Sequence, residues 1–307
     1  MPVKTPRIVI VGSLNMDLVI SMEQMPKVGE TVQAQSIHYI PGGKGANQAV
    51  GCSRLGAQID MIGAVGGDPF GDQIIGQMKR HGVNTEHISV LEGVSTGTAT
   101  IFHTRQDNCI AIVAGANEHC SADQVSSCES LIRQADLLLV QLEIPLESVR
   151  QALTIARSAG VKTVLNPAPA KPLPDELLQL VDLLTPNETE FAALSGAEPD
   201  SEAAWQQSMT DWERRHGHKV VVTRGAAGSS YLDDSGALVT VPALTVSVVD
   251  TTGAGDSFNA ALSYGLALGW TLHQAVSFAG KAASLSVTKF GAQDGMPKLD
   301  EVMEAGR

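Results

Sequence analysis

Residues 249–261 read VDTTGAGDSFNAA, so Asp256 stands directly behind a glycine-rich turn and at the start of a helical pattern. The exposed N–H groups and the dipole at a helix N-terminus attract anions. A lone acid behind a glycine is usually an N-cap, but Gly253, Ala254 and Gly255 leave the N–H groups here unshielded, as an anion hole requires. We interpret Asp256 as a base beside an anion hole, which supplies two of the three requirements of phosphoryl transfer: positioning, charge neutralisation and a base for the attacking hydroxyl.

Asn15 and Asp17 follow the first apolar run of the chain and stand two residues apart. In an extended chain their side chains point the same way. An amide offers a donor and an acceptor, and a carboxylate accepts two hydroxyls, so this pair suits the vicinal diol of a sugar. The simpler interpretation, an Asx turn, is the commoner one for an isolated N-x-D pattern.

A second glycine-rich segment, GGKGAN at residues 42–47, leads into another helical pattern. It is not a P-loop, because Gly45 stands where that motif needs Ser or Thr, and the glycine after the first apolar run does not open a G-x-G-x-x-G dinucleotide fingerprint. The segment is therefore either a flexible turn that caps a helix or a close approach of the backbone to a small polar ligand. In the second case Lys44 and Asn47 are the donors.

Asn187 and Glu190 lie one helical turn apart if a helix begins after Pro186. The N-x-x-E spacing is close to a capping box, which is the simpler interpretation. The functional alternative is a water-mediated grip on Mg²⁺ and phosphate groups.

The elements that must position these side chains alternate between short apolar runs and amphipathic helical patterns. The apolar runs are residues 8–11, 59–65, 137–142, 163–165, 181–184 and 220–222. The helical patterns are residues 46–55, 71–81, 121–134, 146–159 and 203–216. This alternation predicts an α/β fold with a doubly wound, mostly parallel sheet and helices on both faces.

Residues rich in Asn, Asp, Glu and Gly follow these apolar runs. In a parallel sheet these residues all lie on one rim, at the carboxyl ends of the strands. Open α/β sheets bind their ligands at that rim, so we predict a long cleft there.

Two segments interrupt the alternation. Residues 18–40 carry turn residues at Pro26 and Gly29 between β-type stretches, and residues 97–113 read as a hairpin with a polar turn at 106–108. We expect a small β-sheet lid, formed by about residues 15–41 and 97–113, over the rim of a single domain spanning 1–307. An isolated small sheet has a bare apolar face and exposed edges, which a homodimer through the lid would cover.

Composition narrows the class of protein. The chain has 307 residues, of which 43% are hydrophobic, with a net charge of −12 and a pI near 5.0. A diffuse acidic surface argues against nucleic acid or an anionic membrane as the main partner. The four cysteines form no C-x-x-C pair and no zinc pattern, no apolar stretch is long enough to span a bilayer, and the N-terminus lacks a signal-peptide pattern. We expect a cytoplasmic protein.

The chain resembles the ribokinase, or PfkB, family of carbohydrate kinases along essentially its full length. Residues 42–49 (GGKGANQA) through Gly56 match the N-terminal signature, residues 250–256 (DTTGAGD) match the C-terminal one, and residues 187–190 (NETE) match the N-x-x-E element. Two signatures and this element in this order are very specific. The segments most similar to family members that act on ribose are residues 12–17 (GSLNMD), 42–49, 141–143 (QLE) and 166–169 (NPAP).

The resemblance implies the ribokinase-like fold and in-line transfer of the γ-phosphoryl group of ATP to O5 of D-ribose. Asp256 is implied to deprotonate the 5-hydroxyl, while Gly253, Ala254 and Gly255 form the anion hole. The implied ribose contacts are Asn15, Asp17, Gly43, Lys44, Asn47, Glu143 and Asp256. The implied nucleotide contacts are Asn187, Thr223, Arg224, Gly225, Ala226, Gly228 and Gly255. We expect the lid to close over ribose and exclude water, which would otherwise accept the phosphoryl group.

The resemblance also implies two metal cofactors. Glu190 is implied to order Mg²⁺ through water. A potassium-type cation is implied to be bound, mostly through backbone carbonyls, by Asp250, Thr252, Ser286, Lys289, Gly291 and Gly295. Gly295 lacks the serine hydroxyl that family members often carry near this position. Gly280 stands where the family commonly has a larger residue near the adenine, which predicts looser contacts to the base.

The sequence leaves other functions open. Sibling kinases act on 2-deoxyribose, fructose or nucleosides, and the amide of Asn15 favours ribose because deoxyribose-specific members tend to lack it. A non-catalytic sugar or nucleotide sensor would have lost the base or the anion hole, and both are intact. A dehydrogenase is disfavoured because the dinucleotide fingerprint is missing.

Overall fold

Near-continuous apolar runs form the centre of a nine-stranded sheet. The computed structural model describes residues 4–104 and 108–306. The strands are β1 (Arg7–Val11), β2 (Asn15–Ser21), β3 (Ser36–Gly42), β4 (Gln58–Gly66), β5 (Ile88–Leu91), β6 (Gly97–His103), β7 (Asn108–Val113), β8 (Leu137–Val140), β9 (Lys162–Leu165), β10 (Leu183–Leu184), β11 (Lys219–Thr223), β12 (Ser229–Leu232) and β13 (Leu238–Val241).

The helices fill the connections between these strands and the C-terminal part of the chain. They are α1 (Lys44–Arg54), α2 (Pro69–Arg80), α3 (Ala122–Ser127), α4 (Glu129–Arg133), α5 (Leu146–Ser158), α6 (Asp175–Leu178), α7 (Glu188–Ser195), α8 (Glu202–His216), α9 (Ala254–Ala267), α10 (Leu272–Ser286), α11 (Ala292–Gly295) and α12 (Leu299–Glu304). Two short 3-10 turns, Gly115–His119 and Gly225–Ala227, complete the described elements.

The large sheet has the order β13-β12-β11-β10-β9-β8-β1-β4-β5. Every pairing from β11 to β5 is parallel, whereas β12 and β13 add an antiparallel edge. The carboxyl ends of the parallel strands therefore meet on one rim, as predicted.

Helices cover both faces of this sheet, because its strands are apolar on both sides. Ile8 and Ile10 of β1 belong to a core that includes residues of α1, α2, α9, α10 and α12, while Val9 and Val11 belong to a second core, on the opposite face, with residues of α3, α4, α5, α6, α7 and α8. These two cores make the fold doubly wound, and the predicted fold class is confirmed. Within the described residues, no helix is long and apolar enough to cross a membrane.

A separate four-stranded sheet has the order β3-β2-β6-β7. β2 pairs antiparallel with β3 and parallel with β6, and β6 pairs antiparallel with β7. Of the turn predicted at residues 106–108, residues 106 and 107 lie outside the described part of the chain. Asp17 of β2 pairs with Ala99 of β6, and Ala99 pairs with Ile112 of β7, so these three residues share one face of the small sheet.

The structure differs from the predicted elements in places where the chain changes direction. The single helix predicted at 121–134 is two helices, because Cys128 leaves helical geometry at φ −98° and ψ 14°. β8 ends at Val140 rather than at residue 142, since the N–H of Leu142 turns away to the carbonyl of Ala168. The strands β5, β12 and β13 and the helices α6, α10, α11 and α12 were not predicted.

Candidate active site

The start of α1 is brought directly against the chain that leaves β1. A Cβ atom on Gly45 would lie 2.6 Å from the backbone nitrogen of Ser13, so only glycine allows this approach. Gly43 precedes the helix at φ 88°, and a Cβ there would lie 2.7 Å from the backbone nitrogen of Asn15. These close contacts place Lys44 and Asn47, at the start of the helix, beside the first residues of β2.

Asp256 is the third residue of α9 and is only 7% exposed. The residue that caps this helix is Gly253, at φ 78°, and it supplies no side-chain cap. The Asp256 carboxylate instead accepts hydrogen bonds from Asn47 Nδ2 and Gln48 Nε2, each at 2.9 Å. The interpretation of Asp256 as an N-cap is therefore wrong.

The first turn of α9 leaves backbone donors free. The N–H of Ala254 bonds to Thr251 at 3.2 Å and that of Ser257 to Gly253 at 2.8 Å, but those of Gly255 and Asp256 reach no backbone acceptor within the described residues. A Cβ on Gly255 would meet nothing within 4 Å and Gly255 is exposed, so this turn of the helix is open to solvent. An anion can approach this helix end beside the carboxylate.

Three further carboxylates and one ammonium group act electrostatically on this site. Burial raises the pKa of Asp256, although Lys44 and the two amide hydrogen bonds oppose that effect. Burial, followed by Glu143 and Asp256, raises the pKa of Asp17 to about 7. Burial lowers the pKa of Lys44, but the surrounding carboxylates outweigh this and raise it above its ordinary value. Burial also raises the pKa of Glu190. Among these groups, four are carboxylates and one, Lys44, is a cation, so the site is an acidic pocket around one ammonium group.

Two of the predicted sugar contacts, Glu143 and Asn15, are oriented by neighbours, of which Ser13 and Asn117 were not assigned a role from the sequence. Glu143 accepts from Ser13 Oγ at 2.5 Å and from the backbone N–H of Lys44 at 3.1 Å. The Asn15 side-chain oxygen accepts from Asn117 Nδ2 at 2.7 Å, and Asn15 is only 4% exposed. The described residues give the Asp17 carboxylate no hydrogen-bond partner, so it can accept from a ligand.

Asn187 and Glu190 form the capping box that the sequence offered as the simpler interpretation. Asn187 Oδ1 accepts from the N–H of Glu190 at 2.7 Å, and Glu190 Oε2 accepts from the N–H of Asn187 at 2.9 Å. The N–H of Thr223 donates to Pro186 at 3.0 Å and holds the end of β11 beside this cap. Glu190 interacts electrostatically with Lys44 and Asp256, so the cap borders the site.

Arg224 was predicted to contact the nucleotide, but its side chain is already engaged elsewhere. Its guanidinium donates to Glu188 at 3.4 Å and to Glu202 at 3.0 Å, and it lies 5.0 Å from the centre of the Trp205 ring. The turn that follows, with Gly225, Ala226 and Gly228, is mostly exposed, and a Cβ on Gly225 would meet nothing within 4 Å. The backbone of this turn is therefore accessible to a ligand.

The loop before α9 is tied to the loop before α11 by Asp250. Its carboxylate accepts from the N–H groups of Thr252 and Gly291, each at 2.9 Å. A Cβ on Gly295 would lie 2.5 Å from the carbonyl oxygen of Ser286, while the Lys289 carbonyl oxygen lies 3.7 Å from the same point. The six predicted cation ligands thus lie on the loop before α9, at the end of α10, on the loop before α11 and at the end of α11, and a side chain at Gly295 would collide with the Ser286 carbonyl.

Sequence reasoning missed a set of buried amides around Asp256. They are Gln48, Gln141, Asn166 and Gln293, all at most 6% exposed. Gln48, Gln141 and Asn166 stand in segments that the sequence had singled out, and their polarity at apolar positions was the available signal. Within residues 4–104 and 108–306, no group of three or more His, Cys, Asp or Glu side chains is placed to hold a metal ion alone.

Comparison with known proteins gives a consistent result. The sequence profile described as pfkB family carbohydrate kinase matches residues 5–299. A ribokinase of Bacillus subtilis (strain 168) is 41% identical over 297 residues, covering 97% of this chain and 98% of the relative. A deoxyribokinase of Salmonella typhi is 32% identical over 299 residues, covering 97% of each chain. The solved structure of Arabidopsis thaliana ribokinase complexed with ribose and ATP superimposes with a TM-score of 0.90 at 32% identity, covering 98% of each chain.

Proposed function

The chain belongs to the pfkB family of carbohydrate kinases, and we propose that it transfers the γ-phosphoryl group of ATP to O5 of D-ribose. The observation that carries this proposal is the Asp256 carboxylate, held by two amides beside the open N-terminus of α9. A base and an anion site in direct contact are what transfer from a nucleotide to a hydroxyl requires.

Ribose is bound between the small sheet and α1. Asp17 has no hydrogen-bond partner among the described residues and accepts from two sugar hydroxyls. Asn15 donates from Nδ2, which has no acceptor among the described residues because Asn117 occupies the oxygen of the same amide. Glu143, Lys44, Asn47 and the backbone of Gly43 complete the contacts. Asn47 Nδ2 uses one hydrogen on Asp256 and keeps the other for the sugar.

Asp256 takes the proton from the 5-hydroxyl as that oxygen attacks the γ-phosphorus. The bond from the γ-phosphorus to the bridging oxygen of ADP breaks as the new P–O5 bond forms. The N–H groups of Gly255 and Asp256, together with the dipole of α9, stabilise the charge on the transferring group, and Gly253 and Ala254 shape the turn that exposes them.

The nucleotide lies along the rim beyond Asn187. The backbone of Thr223, Arg224, Gly225, Ala226 and Gly228 approaches it, and Gly255 adds an N–H near the phosphates. A Cβ on Gly280 would meet nothing within 4 Å, so this position leaves open space and the contacts to the adenine are loose there.

The residues present fit two metal ions. Mg²⁺ keeps most of its waters and needs few protein ligands, which agrees with the half-buried Glu190 acting through water near the phosphates. Bound there, it would offset phosphate charge. The carbonyl oxygens of Ser286 and Lys289 both lie near Gly295, and with Asp250, Thr252 and Gly291 they would supply the hard-oxygen donors that suit K⁺.

The small sheet is a lid and a dimer interface in this proposal. It carries Asp17 on the face that covers the cleft. Its edge strands expose apolar side chains on both faces: Ile37 (44%) and Tyr39 (48%) of β3 lie on the face opposite Asp17, and Ile110 (57%) and Ile112 (57%) of β7 lie on the face of Asp17. A second copy of the chain that meets these edges would cover them. All four cysteines are free thiols, which supports a cytoplasmic location.

The test is ADP release from Mg-ATP with D-ribose, 2-deoxyribose, fructose and adenosine, in K⁺ and with K⁺ replaced by Na⁺. Fast turnover on ribose, increased by K⁺, is the expected result. Preference for 2-deoxyribose would establish the second candidate, which the 32% identity to a deoxyribokinase supports. Ribose binding without turnover on any of these compounds would identify a sensor and overturn the kinase proposal.

A further inference from the structure

The hydrogen bonds around Asp256 form a directed chain of buried amides. Asn47 and Gln48 each donate to the carboxylate, at 2.9 Å. The oxygen of each amide accepts in turn from another glutamine: Gln293 Nε2 donates to Asn47 Oδ1 at 3.1 Å, and Gln141 Nε2 donates to Gln48 Oε1 at 2.5 Å.

The chemistry of the groups fixes the direction of this chain. A carboxylate only accepts, so the amides of Asn47 and Gln48 must turn their nitrogens towards Asp256. Their oxygens then face away and need donors. The second hydrogen on Gln48 Nε2 is used by Asn166 Oδ1 at 3.1 Å, and Asn166 Nδ2 donates to the carbonyl of Thr185 at 3.1 Å. A turned Gln48 would lose all of these bonds.

Gln141 contributes one hydrogen-bond donor to this series of amides. The side chain is fully buried, and its Oε1 has no partner among the described residues. A Cβ on Gly12 would lie 2.1 Å from that oxygen, so the glycine leaves room for it. Burying an acceptor without a partner lowers the stability of the folded state. The hydrogen bond from Gln141 Nε2 to Gln48 Oε1 is the evident compensation for that loss.

Gln293 plays the corresponding part on the other side of the carboxylate. It is 1% exposed and lies in α11, at the loop that Asp250 ties to the start of α9. Its oxygen accepts from Gln77 Nε2 at 3.2 Å, which leaves its nitrogen to face Asn47. The donors therefore point the same way along the whole series, from Gln77 in α2 through Gln293 in α11 and Asn47 in α1 to Asp256 in α9.

We propose that Gln141 and Gln293 are positioning residues for the general base, because they hold the two amides that present N–H groups to Asp256. This inference rests on the proposed function, in which Asp256 is the base. Neither glutamine contacts the sugar or the nucleotide in this arrangement. Each acts only through the amide that it orients.

The consequence is that the orientation of the two amides controls the proton affinity of Asp256. Two amide donors stabilise the ionised carboxylate, whereas an amide that turns its oxygen towards it does the opposite. The charged groups that act on the same site are Lys44 from α1, Glu143 after β8, Asp17 from β2 and Glu190 from α7. These four groups are unchanged when Gln141 or Gln293 is replaced, so a change in the titration of Asp256 would come from the amides of Asn47 and Gln48.

The experiment compares Gln141→Leu and Gln293→Leu with the unmodified chain by two measurements. The first is the pH dependence of kcat with ribose and Mg-ATP. The second is a carbon-13 NMR titration of aspartate side-chain carboxyls, in which Asp256→Asn assigns the resonance of Asp256. Gln124→Leu is the matched control. The side chain of Gln124 also donates two part-buried hydrogen bonds, to the carbonyls of Gly63 and His87, but it does not belong to the series of amides around Asp256.

We expect the acidic limb of kcat and the Asp256 resonance to move upward by about one pH unit in both variants, the scale of one lost donor to a carboxylate. The control should leave both unchanged. An even loss of kcat at all pH values, with the Asp256 titration unmoved, would overturn the proposal. Gln141→Met and Gln293→Met keep the side-chain length and replace the leucine variants if those do not fold. If the unmodified chain fails to turn over ribose, the proposed function fails, while the NMR titration still decides the orienting role.

Discussion

The two halves of the cleft present their functional groups by different means. On the proposed sugar side the groups are buried side chains: Asp256, Asn47 and Gln48 are all at most 7% exposed, and the two amides donate to the carboxylate. On the proposed nucleotide side Asn187 is exposed and already serves as a helix cap, and the backbone of the turn after β11 is accessible to a ligand.

This contrast separates two kinds of sensitivity. Where a buried side chain performs the chemistry, a small change in its functional group should alter rate or proton affinity. Where the backbone meets the ligand, a side-chain change should alter local stability and leave the ligand contact nearly intact. Substitutions on both sides of the cleft test this distinction, and the largest effect is expected on the sugar side.

Asp256→Asn should lower kcat by about 10²–10⁴-fold, the usual scale of general base catalysis. The amide keeps the size of the side chain but cannot take the proton of the 5-hydroxyl. Steady-state turnover with ribose and Mg-ATP measures the loss. Ribose affinity, measured by calorimetry, should change far less. A variant that retains more than a tenth of the normal kcat would show that Asp256 is not the base.

Asp17→Asn should weaken ribose binding by about 10–100-fold at pH 8, the cost of losing hydrogen bonds to a charged acceptor. In the unmodified protein the pKa of Asp17 is about 7, so the ionised fraction falls as pH falls, and the Kd for ribose should rise about tenfold between pH 8 and pH 6. Calorimetry without ATP measures both. In Asp17→Asn this pH dependence should disappear; if it persists, another group controls binding.

The same substitution should raise the stability of the ligand-free protein. The folded pKa of Asp17 is about 7 against an ordinary 3.8, so the folded state binds the proton more tightly, and the free energy of unfolding falls as pH rises through that window. Asp17→Asn should therefore have a Tm a few degrees above that of the unmodified chain at pH 8 and an equal Tm near pH 4. Thermal unfolding at the two pH values decides this, and equal Tm values at pH 8 would contradict it.

The sugar side could be predicted further than the nucleotide side because its chemistry depends on residue type. Asp256 could be found from the glycines before it, and Asp17 from its spacing to Asn15. The roles of Gln141 and Gln293 could not, since their partners lie 93 and 246 residues away in sequence. The direction of an amide is set by neighbours that only the folded chain brings together.

The same limit explains the differences in the fold. Parallel strands with apolar side chains on both faces are evident from composition, and so the doubly wound sheet was predicted. The break at Cys128 was not predicted, because the helical pattern continues through residues 121–134. Both α3 and α4 contact α5, and a sequence pattern does not reveal how two short helices share such a neighbour.

Asn187→Ala should lower the free energy of unfolding by about 1 kcal/mol, because it removes the side-chain cap of α7. Asn187→Ser is the matched control, since serine caps a helix nearly as well. Denaturant unfolding and the KM for ATP are the measurements. If Asn187→Ser weakens ATP as much as Asn187→Ala does, the amide itself contacts the nucleotide, and the backbone account of this side is wrong.

Arg224→Gln should have the smallest effect on function, although the residue stands in the middle of the nucleotide side. Its guanidinium is 13% exposed, paired with Glu188 and Glu202 and placed over Trp205, so the charge is already satisfied within the protein. We expect the KM for ATP to stay within about twofold, and stability to fall by about 0.5–1 kcal/mol through the lost cation–π contact. Glu202→Gln is the matched variant, because it weakens the same pair from α8 without approaching the cleft. A tenfold rise in the KM for ATP in Arg224→Gln alone, with stability unchanged, would mean that the guanidinium leaves these partners when the nucleotide binds, and the two halves of the cleft would then both act through side chains.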